Sequence, residues 1–158
     1  MFLTNDPDSS SPLNFHREVP NVKTDTKFSR RVSNVSPLVL VVEDDDDTSL
    51  MLKYLSEIWK YRVISADTDE QAMQLAESFQ PDVVLLDYKL PNIDGPAMTR
   101  RMRELPSLAE TVIISISTYS EPSVRASALA AGSNEFLFKP IDFGKLEISL
   151  EKHLQLKN

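Results

Sequence analysis

The 158-residue chain contains no cysteine, which excludes disulfide staples, thiol nucleophiles and cysteine-ligated zinc together. No apolar run approaches the ~20 residues needed to span a bilayer. The first residues, Met1-Phe2-Leu3-Thr4-Asn5-Asp6, lack the basic-then-apolar order of a secretory leader. An excess of positive charge is missing too: 24 acidic against 17 basic residues give a formal charge of −7. That is the wrong sign for a chain that neutralises nucleic-acid phosphates. The two histidines, His16 and His153, sit far apart in no ligand or catalytic pattern, and both are expected to be solvated. What is present, 41% hydrophobic and 26% charged residues, is an ordinary globular composition. The expectation is a soluble, cytoplasmic protein with no membrane insertion and no direct nucleic-acid contact.

Composition changes near Pro37. Residues 1–36 carry Pro7, Pro12 and Pro20 among Ser, Asn and Asp, without a sustained hydrophobic period, and are expected to be a disordered or irregular extension. Phe28-Ser29-Arg30-Arg31-Val32 is an alternative reading of part of it, as a short docking segment. From Pro37 to about residue 156 strand and helix patterns alternate. Leu38–Val42, Tyr61–Ser65, Asp82–Asp87, Val112–Ser117 and Glu135–Phe138 are predicted strands, the first and third apolar on both faces.

Between them lie five predicted helices. Asp47 or Thr48 caps the first, which turns Leu50, Tyr54, Leu55 and Ile58 inward. Thr68 and Gln71 form a capping box for the second, which buries Ala72, Leu75, Ala76 and Phe79 and stops at Pro81. Pro96 stands in the first turn of the third, which runs to about Glu104. Pro122 opens the fourth and Gly132 ends it as a left-handed cap. Asp142 caps the fifth, with Phe143, Leu146, Leu150 and Leu154 on one side. Strict alternation predicts an α/β fold, a doubly wound five-stranded parallel sheet with helices on both faces, and right-handed crossovers leave few ways to wind it.

The polar residues fall where such a sheet binds ligands. Glu43 and Asp44 follow strand one, Asp87 ends strand three, Ser117 ends strand four and Lys139 follows strand five. All stand at the carboxyl edge. Three carboxylates there repel one another. A divalent cation with oxygen ligands relieves this, and magnesium suits a site that also handles phosphate. Lys139 and Ser117 supply a point charge and a hydroxyl for phosphoryl oxygens, and Asp87 a carboxylate nucleophile able to form an aspartyl phosphate. The acids Asp46 and Asp47 are explained by a helix N-terminus alone.

Residues 37–156 resemble the receiver domain of two-component response regulators. The resemblance rests on Val41-Val42-Glu43-Asp44-Asp45, on Asp82–Gly95 with its Asp87-Tyr88-Lys89-Leu90-Pro91 core, and on Ile114-Ser115-Ile116-Ser117. Ala130–Leu137 and Lys139-Pro140-Ile141-Asp142 complete it. It implies the strand order 2-1-3-4-5, that Asp87 is the phosphoacceptor, that Glu43 and Asp44 with Asp87 and the Lys89 carbonyl hold Mg2+, and that Ser117 and Phe136 form the switch pair. It further implies a Lys139 ammonium on the phosphoryl group and a cis Lys139–Pro140 bond. Lys89, Thr118 and Tyr119 occupy positions that tune phosphoryl lifetime. Thr118 departs from the usual small residue there, and Lys89 and Tyr119 are expected to shield the phosphate from water.

The implied function is a phosphorelay switch that takes its phosphoryl group from a histidine kinase or a histidine phosphotransfer protein. Its output would pass to a downstream protein or a homodimer partner through the fourth helix, fifth strand and fifth helix. No enzymatic turnover beyond self-phosphorylation and dephosphorylation is expected. Three alternatives stay open: a receiver-like interaction module that carries no phosphate, a receiver fragment of a larger regulator or hybrid kinase, and a magnesium-dependent phosphohydrolase. The last class places a second aspartate two residues after its nucleophile, where this chain has Lys89.

Overall fold

The computed structural model describes residues 35–44 and 48–155. The expectations placed on residues 1–34, on Asp45 to Asp47, on a cap by Asp47 and on His16 lie outside them. Five strands, β1 (Leu38–Val42), β2 (Arg62–Ala66), β3 (Val83–Asp87), β4 (Val112–Ser117) and β5 (Glu135–Phe138), form one sheet. Every pair is parallel and the order is β2-β1-β3-β4-β5. Four helices connect them and a fifth follows β5: α1 (Thr48–Lys53, continued by a π-helical turn over Tyr54–Ile58), α2 (Asp69–Phe79), α3 (Gly95–Arg103), α4 (Pro122–Ala131) and α5 (Phe143–Gln155). Among the described residues no helix is long and apolar enough to cross a membrane.

The period-two alternation of the strands sorts the core into two layers. Leu40, Val42, Val84, Leu86 and Ile113 face α2 and α3 through Ala72, Ala76, Met98 and Met102. Val39, Val41, Val83, Leu85, Ile114 and Ile116 face α1 and α5 through Met51, Leu55, Leu146, Leu150 and Leu154. The central strands are therefore buried on both sides, which is why they contain so few polar residues.

Local signals set the helix ends. The Thr68 hydroxyl accepts from the Gln71 N–H, while the Gln71 side chain accepts from the Asp67 N–H, one residue earlier than a strict capping box. The Asp94 carboxylate accepts from the Ala97 N–H and Asp142 from the Lys145 N–H. Gly132 ends α4 at φ 119°.

Three inward-facing expectations fail. Leu50 and Ile58 are 53% and 51% exposed, and Met51 and Leu55 are the buried residues of that segment. The π turn, closed by the Trp59 N–H on the Tyr54 carbonyl, inserts one residue and swings Ile58 off the Met51–Leu55 line. Leu50 lies one residue off the same line. Phe79 is 57% exposed, and Met73 takes the interior place beside Ala72 and Ala76. Two alanines bring α2 close to the sheet, and Met73 fills the space above them while Phe79 sits on the last turn. β2 also runs one residue later than the pattern suggests, from Arg62 to Ala66.

Candidate functional site

The ends of β1, β3, β4 and β5 meet at the carboxyl edge. Asp87 is the last residue of β3 and only 9% exposed. The backbone of the next residue, Tyr88, is pinned from both sides: its N–H donates to the Ile116 carbonyl at 2.8 Å, and its carbonyl accepts from the Gly95 N–H at 2.6 Å. A Cβ at residue 95 would lie 2.8 Å from the Tyr88 Cα and 3.0 Å from the Asp87 carbonyl oxygen. Glycine is thus required at the start of α3 by close approach.

Around the Asp87 carboxylate, the Lys89 N–H donates to one oxygen at 3.2 Å and the Lys139 ammonium lies 3.6 Å from the other. Lys139 also makes a short ion pair with Glu43. One ammonium therefore offsets part of the repulsion between the first and third acidic positions. Burial nevertheless pushes the Asp87 carboxyl above its ordinary range, and the Asp44 charge pushes it the same way. The Lys89 N–H bond and Lys139 oppose the shift without reversing it. Asp44, Asp87, Lys89 and Thr118 line one open cleft of about 370 Å³, together with Leu90, Pro91 and Lys139.

The anionic donors of that cleft are oxygens, from the carboxylates of Asp44 and Asp87. This is the chemistry of a hard divalent cation, and it fits magnesium. Among the described residues no three acidic or histidine side chains are gathered into a ready cage. Glu43 is turned to Lys139, so the cleft offers Asp44 and Asp87, with Lys89 beside them.

Ser117 ends β4, almost fully buried, and its oxygen accepts from the Tyr119 N–H at 2.8 Å. Phe136 is buried in β5 and meets Phe138 edge to face with centroids 5.2 Å apart. The Lys139–Pro140 bond is cis. Tyr119 packs its ring on Tyr88, with centroids 6.1 Å apart and planes at 78°. Sequence reasoning passed over Tyr88. Its signal was its place, directly after the aspartate and opposite an aromatic two residues past the serine.

The same reasoning misjudged His153. It is not solvated: its Nε2 lies 2.7 Å from Glu135, which also accepts from the Ser149 hydroxyl at 2.8 Å. Ser149 and His153 share a face of α5 at i, i+4 spacing, but only the fold brings the start of β5 beneath them.

With this geometry in view, comparison with known proteins decides the family. The family model described as "Response regulator receiver domain" matches residues 39–151. The chain belongs to the response-regulator receiver family. This receiver is 28% identical over 120 residues to the regulatory protein AtoC of Escherichia coli, covering 76% of this chain and 26% of AtoC. It is 33% identical over 114 residues to the phosphate regulon transcriptional regulatory protein PhoB of Rhizobium meliloti, covering 70% of this chain and 48% of PhoB. The chain thus spans from about a quarter to a half of the length of these two relatives.

Among solved structures, the receiver domain of a sensor histidine kinase from Pseudomonas aeruginosa, which holds a magnesium ion in its active-site cleft, superposes with a TM-score of 0.69. It is 27% identical, and the match covers 77% of this chain and 99% of that one. Chemotaxis protein CheY4 of Vibrio cholerae, 23% identical with a TM-score of 0.69 over 75% of this chain and 98% of that one, shares the fold. Receiver domains are the phosphorylation-dependent switches of two-component signalling, and the doubly wound sheet with an acidic carboxyl edge is that architecture.

Proposed function

We propose that Asp87 is the phosphoacceptor of this receiver and takes a phosphoryl group from the phosphohistidine of a histidine kinase or histidine phosphotransfer protein. The observation that supports this most directly is a nearly buried aspartate facing an ammonium 3.6 Å away, in a cleft that a second carboxylate shares. In the transfer an Asp87 oxygen forms the new P–O bond as the P–N bond breaks, and the electron pair leaves on the donor imidazole.

Lys139 balances charge on the phosphoryl oxygens, and the Lys89 N–H holds the carboxylate in place. Ser117 supplies a hydroxyl hydrogen bond to the new group. Magnesium would be held by Asp44, Asp87 and the Lys89 carbonyl, with Glu43, paired to Lys139 in this structure, completing the acidic set. When bound, it neutralises charge on the transferring group. Thr118, on the cleft wall, narrows the donor's approach, and Lys89 stands where water would reach the acyl phosphate.

Output would pass through the surface of α4, β5 and α5 to a protein partner or a second copy, in the cytoplasm. Ser117 turning onto the phosphoryl group and the packing of Phe136 would select between two settings of that surface. A receiver-like module without phosphate chemistry is the competing reading, and the Asp87–Lys139 pairing speaks against it.

Incubation with acetyl phosphate and magnesium tests the proposal. The expected result is an acid-stable, base-labile mass gain of one phosphoryl group, absent in Asp87→Asn. Labelling retained in that variant, or no labelling of the wild type, would overturn it.

A further inference from the structure

The switch hydroxyl is tied to the backbone that follows it, and that backbone is tied by a ring to the residue after the phosphoacceptor. The Ser117 oxygen accepts from the Tyr119 N–H, and the Tyr119 ring lies edge-to-face on Tyr88. Tyr88 is a fixed post, because its own N–H and carbonyl are both bonded, to β4 and to α3. Tyr119 belongs instead to the exposed segment Thr118–Glu121, which enters α4 without a side-chain cap.

We propose that the Tyr88–Tyr119 contact is a clasp that holds Ser117 in its unphosphorylated setting and so limits how readily Asp87 is phosphorylated. The inference rests on Asp87 being the phosphoacceptor. Turning the Ser117 side chain to another staggered position carries its oxygen off the Tyr119 N–H, and that N–H must then find another partner by a shift of its segment. The ring contact opposes the shift, because Tyr119 cannot move its backbone without sliding on a post that does not follow. Phe136 is already buried, so the first movement falls to the hydroxyl and its segment. Tyr88 and Tyr119 are positioning residues: they act through Ser117.

An edge-to-face aromatic pair biases an equilibrium by about two- to ten-fold. Phosphorylation by acetyl phosphate with magnesium should therefore speed up by about that factor in Tyr88→Ala and in Tyr119→Ala. Tyr88→Phe and Tyr119→Phe, which keep the rings, should return to the wild-type rate. The double alanine variant should be no faster than either single one, since one contact is removed in each case. Tyr119, on the exposed segment, keeps the test open if Tyr88→Ala folds poorly. Alanine variants that label at the wild-type rate or slower, or whose accelerations multiply in the double variant, overturn the clasp. Wild-type protein that takes no label overturns instead the assignment of Asp87 on which the clasp rests.

Discussion

The two edges of the sheet treat charge in opposite ways. At the carboxyl edge Asp87 is buried beside Asp44, and burial outweighs the help of Lys139 and the Lys89 N–H, so its ionised form is held at a cost. At the amino edge burial also disfavours the charge of Arg103, but Arg103 and Glu135 each meet several hydrogen-bond partners. Arg103 donates to the carbonyls of Gly132, Leu108, Ala109 and Thr111 and to the Asn134 side chain. Glu135 accepts from both Ser149 and His153. One edge stores unbalanced charge, which the proposed phosphoryl group and cation would relieve. The other fastens the start of β5 to α5 and the turn before it to α3.

Removing the largest fastener should have the largest effect on stability. Arg103 ties the end of α3 to the turn between α4 and β5, and Asn134 relays the tie by also accepting from the Ile113 N–H. Arg103→Met keeps the apolar stem and takes the guanidinium donors from the half-buried carbonyls of Gly132 and Thr111. The expected loss is about 3 kcal/mol in urea unfolding, with acetyl phosphate labelling per folded molecule unchanged. A loss of phosphorylation at full stability would show that the two edges are not separable as described.

The two edges also differed in how legible they were. The strands were readable because a segment covered on both faces must be apolar throughout. Each candidate site residue then stood at a strand end, where position in the chain fixes position in space. Asp87, Ser117 and Lys139 needed no long-range information beyond the alternation itself. The amino edge was hidden. Nothing in the run around Arg103 names Gly132 and Asn134 as its acceptors, and nothing near His153 points to a glutamate 18 residues earlier. Such partners are chosen by packing between elements. The π turn after α1 was hidden for a related reason: a single inserted residue leaves the apolar period nearly intact while turning Ile58 outward.

A smaller effect of opposite sign is expected at the reactive edge. The Asp87 carboxyl titrates above its ordinary value of 3.8 in the folded chain. The native state therefore binds this proton more tightly than the unfolded state does. Its contribution is complete below pH 3.8 and is lost as pH rises through the folded value, leaving a net cost at neutral pH. Asp87→Asn removes that cost. In metal-free buffer at pH 7 the variant should be more stable than wild type by on the order of 1 kcal/mol while accepting no phosphoryl group. Equal or lower stability would show that Lys139 already balances the edge.

The smallest change is expected at Glu135, and it separates the edges most cleanly because its pH dependence runs the other way. Burial alone would raise this carboxyl, but the hydrogen bonds from Ser149 and His153 and the charges of His153 and Lys152 carry it below its ordinary value of 4.5. Here the unfolded state binds the proton more tightly. The stabilisation is present above pH 4.5 and is lost as pH falls through the folded value. Glu135→Gln can keep only part of the pairing, so it should be less stable than wild type at pH 7 by under about 1 kcal/mol. The gap should close as the pH is taken below 4.5. In urea unfolding the Asp87 and Glu135 variants should therefore stand on opposite sides of wild type at neutral pH and approach it together in acid. Two curves displaced to the same side would mean that both carboxylates answer to one field, and the distinction between a reacting edge and a fastening edge would fail.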